Sequence, residues 1–306
     1  MRELRARVYA DLRAFFSARG VLEVDTPVLS AAASTDPQLE HFLTRSGESN
    51  YYLQTSPEFA MKRLLAADSG PIYQLCKCFR RAESGRRHNP EFTMLEWYRP
   101  GFAMQQLVDE VIALLRLWWP QRPLAQYRYR DLLMRYAGID YDASSLGDLR
   151  ACLRASAAGF SPLLLGGDRD DLCELILSAH IEPQLGVDGI DVVTHFPLSQ
   201  SQLAETVADY GGSALRFEVY VAGLELANGY QELCDADELR RRFAHHNAQR
   251  QRLGKPPVVV DERLLAAMAE GLPQCSGVAL GVDRLLMLIA GVEHIDDVLD
   301  FPWSRA

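Results

Sequence analysis

The sequence predicts an α+β protein, an antiparallel β-sheet flanked by helices. Three stretches predict it. Residues 71–99 read as a strand, a polar basic loop and a second strand. Residues 215–233 read as another strand–turn–strand. Residues 277–290 run from a strand of small residues, GVALG, into a helix. The hydrophobic fraction of 48% and charged fraction of 24% are the balance of a globular chain with a sizeable core.

At 306 residues the chain has room for one large domain or two ordinary ones. No Pro/Ser-rich linker interrupts it, so a single domain over 1–306 is expected, with about 124–190 as a helical insertion. The net charge of −9 argues against broad nucleic-acid binding, although a local basic patch can coexist with it. The six cysteines (76, 78, 152, 173, 234, 275) form no CxxC pair and no zinc spacing, which points to free thiols in a reducing cytoplasm. Arg2, Glu3, Arg5 and Arg7 replace the apolar start of a signal peptide, and no apolar run approaches the ~18 residues of a membrane span.

In chain order, Arg2–Arg19 carries Leu4, Val8, Leu12, Phe15 and Phe16 at helical spacing. Gly20 ends that helix, and Val21–Thr26 reads as a strand stopped by Pro27. Residues 31–50 read as a polar loop and Tyr51–Thr55 as a short strand. Ser56-Pro57-Glu58 then opens a helix over 59–67, with Met61, Leu64 and Leu65 inward and Lys62 and Arg63 outward. Glu58 either complements the helix dipole or aims at a substrate ammonium.

Within 71–99, Ile72, Gln74, Cys76, Cys78 and Arg80 alternate with Tyr73, Leu75, Lys77 and Phe79. If Glu91–Tyr98 pairs back as a hairpin, Phe92, Met94, Glu96 and Tyr98 share one face, and Arg80 can point the same way. The loop between adds Arg81, Arg86, Arg87, His88 and Asn89. The stretch is either an amphipathic hairpin with a solvated turn or a surface for an anionic nucleotide beside an amine. Ala103–Trp119 reads as a helix. Residues 129–178 read as mostly helical, with Ser145 and Asp148 placed as a capping box.

In the second hairpin Asn228, Tyr230 and Glu232 share a face if the strand is regular. Glu218 and Glu225 converge across its turn, either as exposed strand carboxylates or as a magnesium site completed by phosphate oxygens. Asp237–Leu253 reads as a charged helix. The small residues of 277–281 leave one strand face bare for a flat ligand, and Arg284 at the following helix start can reach an anion. No P-loop or GxGxxG motif is present.

These pieces together resemble the catalytic core of a class II aminoacyl-tRNA synthetase. Helix, strand and Pro27 resemble its first motif, which builds a homodimer. Phe79-Arg80 with the HNPEFT run at 88–93 resembles the second, and GVALGVDR the third. Ser56-Pro57-Glu58, HNPEFTMLEWY and FEVY…ELANGYQEL resemble the lysyl branch. No N-terminal OB domain precedes the first motif, and Ala279 stands where lysyl-tRNA synthetase has Gly. In both respects the chain resembles the lysine ligases that modify elongation factor P.

That resemblance implies ATP-dependent activation of (R)-β-lysine to its adenylate and transfer to a lysine ε-amine of elongation factor P. It makes tRNA an unlikely partner. Alternatives are a truncated lysyl-tRNA synthetase or a non-catalytic paralogue. It implies Arg80 on the α-phosphate, Phe92 and Arg284 around adenine, and His88 and Asn89 positioning phosphate and base. Leu226 and Gly281 would lie against the nucleotide. Glu218 and Glu225 would hold Mg²⁺. Glu232 and Tyr98 would take the distal ammonium, with Ser56, Pro57, Glu58, Asn228, Tyr230 and Ala279 around the rest of the lysine. Arg80, Glu225 and Arg284 are thus the expected catalytic set. The family's second motif has Arg, any residue, Glu. Here Arg80, Arg81 and Ala82 are followed by Glu83 one place late, so Glu83 or the loop backbone is expected to supply that contact.

Overall fold

The computed structural model of the chain describes residues 1–155, 159–162 and 164–306. Residues 156–158 and 163 of the expected helical insertion lie outside the described residues. In chain order, α1 (Arg2–Ser17) leads to β1 (Leu22–Glu23), β2 (Leu29–Ser30), β3 (Leu43–Ser46) and β4 (Ser49–Leu53). Next come α2 (Glu58–Ala66), β5 (Ile72–Phe79), β6 (Glu91–Pro100) and α3 (Met104–Leu115). The middle holds β7 (Leu124–Arg128), α4 (Tyr129–Leu132), α5 (Leu146–Ala155), α6 (Arg169–Ile176), β8 (Ile190–Pro197) and β9 (Thr206–Val207). The last part runs through β10 (Ser213–Val221), β11 (Leu224–Gln231), α7 (Ala236–Arg252), α8 (Glu262–Gly271), β12 (Cys275–Gly281) and α9 (Val282–Ala290). Among the described residues no helix is long and apolar enough to cross a membrane. All six cysteines are unbridged.

The chain packs as two compact units, Met1–Leu107 with Gln231–Ala306, and Val108–Tyr230. In the first unit β6 is the middle strand. It pairs antiparallel with β5 (Gln74 opposite Glu96, Cys76 opposite Met94) and with β12 (Ala279 opposite Glu96, Gly277 opposite Tyr98). Side chains alternate between the two faces of a strand. One face carries Tyr73 and Trp97. Phe16 of α1 stacks on Tyr73 at 4.5 Å between centroids and meets Trp97 at 5.2 Å, closing the core on that side. The other face therefore carries Gln74, Cys76, Cys78, Phe92, Met94, Glu96 and Tyr98 together.

Three expectations need correction here. The sheet is mixed, because β1 runs parallel to β5 and β7 parallel to β8. Both pairs are joined by long crossovers through other elements, which return the chain in the same direction. The stretch 31–50 is not all loop: β3 and the start of β4 lie in it, forming a small antiparallel sheet with β2. All four residues of β3 are exposed, so the strand has no apolar alternation to read. Lys62 points inward and is buried, for reasons that belong to the site.

In the second unit β11 pairs with β10, β10 with β8 and β9, and β8 with β7. Tyr129, Leu132, Leu149, Leu153, Leu172 and Ile176 from the helical stretch bury against Val193, Phe196 and Tyr220 of the strands. The capping box is present: the Ser145 hydroxyl accepts the Asp148 N–H at 3.2 Å, and the Asp148 carboxylate accepts the Ser145 N–H at 2.8 Å.

Candidate functional site

On the face of the first unit's sheet opposite α1, three buried or half-buried carboxylates meet one buried ammonium. The chain turns from β4 into α2 at Ser56-Pro57-Glu58. The Ser56 hydroxyl accepts the Glu58 N–H at 3.0 Å and donates to Glu96 Oε2 at 2.7 Å. The helix thus starts at Glu58, one residue earlier than the sequence spacing suggests, with Pro57 as its N-cap. One turn on, Lys62 reaches back to Glu58 at 2.6 Å and across to Glu232 at 2.6 Å. The Tyr98 hydroxyl donates to Glu96 Oε1 at 2.7 Å.

Gly277 opens the space these groups use. A Cβ there would stand 2.2 Å from Tyr98 Cε1 and 2.6 Å from Glu232 Oε1, so only glycine lets the phenol and carboxylate close over the strand. Burial raises Glu96 to about 8, and the nearby Glu58 charge adds to it. Burial raises Glu232 to about 7, with Lys62 opposing the shift. Lys62 stays charged: burial disfavours its ammonium, but Glu232 and Glu58 outweigh that and raise its pKa. The arrangement is built for cations, since an ammonium arriving beside Glu96 would replace the proton that burial places there.

Further along the same face, the Arg80 guanidinium lies over the Phe92 ring at 5.2 Å from its centroid and pairs with Glu83 at 3.7 Å. Arg80 Nε is buried without a hydrogen-bond partner, a donor suited to an anionic oxygen. Glu83 thus stands beside Arg80 although it falls one place late in the motif. Ala82 adopts a left-handed φ of 69°, turning the chain between Arg81 and Glu83. Arg81 pairs with Glu40 at 3.4 Å. His88 closes the loop through a bridge to Gly85, and Arg284 contacts the His88 ring and the Arg87 carbonyl.

Asn89 is buried, and both ends of its amide serve the backbone: it donates to the Glu91 carbonyl and accepts the Trp303 N–H at 2.9 Å. Asp283, next to Arg284, accepts the Thr93 N–H at 2.6 Å and pairs with Arg5 at 2.7 Å, fixing the start of α9. A Cβ at Gly281 would meet nothing nearer than the Arg284 side chain at 3.6 Å, so the strand is bare there.

The second unit presents its own polar face on β10 and β11. Glu218 lies opposite Asn228, and Tyr220 opposite Glu225. In a regular strand Glu225 and Asn228 would point to opposite faces. The register slips between Val219 and Tyr220, leaving Leu226 as an extra residue, and this bulge brings Glu225 onto the face of Glu218, Asn228 and Tyr230. Glu218 is buried. It takes a short ion pair from Arg216 and hydrogen bonds from Tyr220 at 2.5 Å and Asn228 at 3.4 Å. Burial raises it to about 7, the Arg216 charge opposes this, and the Glu225 charge adds to it. Asn228 Oδ1 is buried without a partner. Two mutually repelling carboxylates on one face are a donor set that fits a Mg²⁺ taking its other ligands from phosphate, though Arg216 already supplies Glu218 with a counter-charge. Among the described residues no group of three or more His, Cys, Asp or Glu forms a metal cage.

Sequence reasoning placed Ser56, Glu58, Tyr98 and Glu232 together. It put Glu96 on the right face without giving it a role, and it missed Lys62, Gly277, Arg216 and the bulge at Leu226. The Glu58–Lys62 spacing of four residues on a helix was the available signal for Lys62.

Comparison with known proteins follows the same lines. The family model described as tRNA synthetases class II (D, K and N) matches residues 1–305. A protein of Proteus mirabilis (strain HI4320) named Elongation factor P--(R)-beta-lysine ligase is 47% identical over 99% of this chain and 94% of its own length. A protein of the same name from Avibacterium paragallinarum is 45% identical over 99% and 95%, and one from Salmonella typhi 46% identical over 99% and 94%. The chain belongs to the class II tRNA synthetases of the D, K and N group.

Proposed function

We propose that this protein is an ATP-dependent ligase that activates (R)-β-lysine as an adenylate and attaches it to a lysine of elongation factor P. One observation carries the proposal. Glu58, Glu96 and Glu232 gather around the buried ammonium of Lys62, on the sheet face that also bears Phe92 with the Arg80 guanidinium over its ring. With all three carboxylates ionised the pocket holds two uncompensated negative charges. A diamino acid with both amines protonated supplies two positive ones. Its own carboxylate is left to react. The names of the relatives support β-lysine as that amino acid and elongation factor P as the acceptor.

In the first step a substrate carboxylate oxygen attacks the α-phosphorus of ATP, and the bond to pyrophosphate breaks. In the second, the acceptor lysine's ε-amine attacks the acyl carbon, AMP leaves with the bonding electrons, and the amine loses a proton. No side chain of the enzyme acts as nucleophile, so positioning and charge stabilisation carry the rate. Arg80 Nε is assigned to an α-phosphate oxygen. Phe92 and Arg284 are assigned to adenine, His88 and Asn89 to the shape of the loop over the phosphates, with Arg81, Ala82 and Glu83 forming its turn. Glu96, Tyr98 and Glu232 are assigned to the distal ammonium, and Ser56, Pro57, Glu58 and Ala279 to the remainder of the lysine.

In the second unit Glu225 and Leu226 are assigned to the nucleotide, Asn228 and Tyr230 to the amino acid, and Glu218 with Glu225 to Mg²⁺. The metal would neutralise the departing pyrophosphate. We further propose that the two units serve one catalytic domain, that the protein works in the cytoplasm as a homodimer formed through its first motif, and that tRNA is not its acceptor. The test of the activation step is ATP–pyrophosphate exchange. Exchange stimulated by (R)-β-lysine more than by α-lysine is expected. Exchange with neither isomer would overturn the proposal.

A further inference from the structure

We propose that Cys76, Cys78 and Met94 form a binding site for a soft monovalent metal ion, copper(I), on the face of the first unit's sheet opposite α1. Cys76 and Cys78 alternate onto that face of β5, and Met94 stands opposite Cys76 on β6. Cys76 Sγ lies 3.9 Å from Cys78 Sγ, and Cys78 Sγ lies 3.8 Å from Met94 Sδ. Metal–sulfur bonds of about 2.3 Å around a trigonal centre place the sulfurs about 4.0 Å apart, close to both spacings. Thiolate and thioether donors together select copper(I) over the harder divalent ions.

Cys78 and Met94 are buried, while Cys76 is half-exposed and offers the entry. Binding two thiols gives Cu⁺ + 2 RSH → Cu(SR)₂⁻ + 2 H⁺, with the Met94 thioether as neutral third donor. Arg80 follows Cys78 by two residues, and its charge acts on the Cys78 thiol and would balance the anionic centre.

The site lies between Glu96 on one side and Phe92 and Arg80 on the other. If the proposed function holds, copper(I) there blocks adenylate formation. The binding claim does not depend on that reading.

The experiment is anaerobic competition between the intact protein and copper(I) bicinchoninate. One equivalent of copper(I) should pass to the protein with release of two protons. Cys76→Ser and Cys78→Ser should each weaken binding at least 100-fold, and Met94→Leu about tenfold. Cys152, Cys173, Cys234 and Cys275 remain in every variant as an internal control. Circular dichroism of the variants checks that they fold. Unchanged affinity in a folded Cys76→Ser/Cys78→Ser double variant would overturn the site. Copper binding without loss of pyrophosphate exchange would leave the site standing and overturn only its placement in the reaction path.

Discussion

Replacing Lys62 by Met should damage the protein more at high pH than at low pH. The ammonium is 1% exposed and lies 2.6 Å from both Glu58 and Glu232. Methionine fills most of the same volume, so little cavity is made. What is lost is the counter-charge. Removing one partner of a buried ion pair costs about 3–5 kcal/mol, most of it from the charge left behind. The protein can escape by protonating Glu232, which fixes the sign of the pH dependence. Burial already raises Glu232 to about 7 against the opposing charge of Lys62, so without Lys62 its folded-state pKa stays above the ~4.3 of free Glu. A carboxyl raised in this way costs the folded state nothing below the unfolded value, and the cost is complete above the folded value. Denaturant unfolding of wild type and Lys62→Met at pH 8 and pH 5 is the assay. A loss of about 3–5 kcal/mol at pH 8 is expected, narrowing clearly at pH 5. Adding Glu232→Gln should recover part of the loss at pH 8. A loss below about 1 kcal/mol at pH 8, or an equal loss at both pH values, would refute the reasoning.

Three other outcomes follow from the same pocket. Glu96, raised to about 8, must be ionised to hold an ammonium, so kcat/KM for the lysine should fall as pH drops below that value, approaching tenfold per unit. In Glu96→Gln the fall between pH 8 and pH 7 should vanish, leaving only the fall below about pH 7 where Glu232 titrates, and kcat/KM for the lysine should drop about 10–150-fold, the worth of a charge-assisted hydrogen bond; an unchanged fall between pH 8 and pH 7 would assign that titration elsewhere. Gly277→Ala, which sets a methyl 2.2 Å from Tyr98 Cε1, should abolish lysine-dependent exchange while equilibrium dialysis still detects ATP binding. Ala279→Gly should shrink the preference for β-lysine over α-lysine by about 1–3 kcal/mol, and an unchanged ratio of the two kcat/KM values would remove Ala279 from selectivity.

Much of this site could be read from the sequence because it sits on strands, where alternate residues share a face. Arg80, Phe92, Glu96 and Tyr98 follow from that period once the hairpin at 71–99 is recognised, and the register agrees with it. The failures share a physical cause, since each depends on contacts distant in the chain. Lys62 looks outward in its helix because a charged residue usually is. Its burial is offset by Glu58 one turn away together with Glu232, which lies far along the chain. Gly277 reads as one small residue among several until Tyr98 and Glu232 are seen against it. The Leu226 bulge reverses the alternation of β11, so a regular strand puts Glu225 on the wrong face. The exposed strand β3 and the parallel β1–β5 pair leave no local pattern at all.

The proposed activity is defined by its acyl group and its acceptor. Elongation factor P should be incubated with the protein, ATP and Mg²⁺, with (R)-β-lysine or α-lysine supplied separately, and its intact mass measured. A gain of one lysyl residue, faster with the β isomer and absent without ATP, is the predicted result. An unmodified factor under conditions where the protein makes the adenylate, or where it charges tRNA with lysine, would contradict the account.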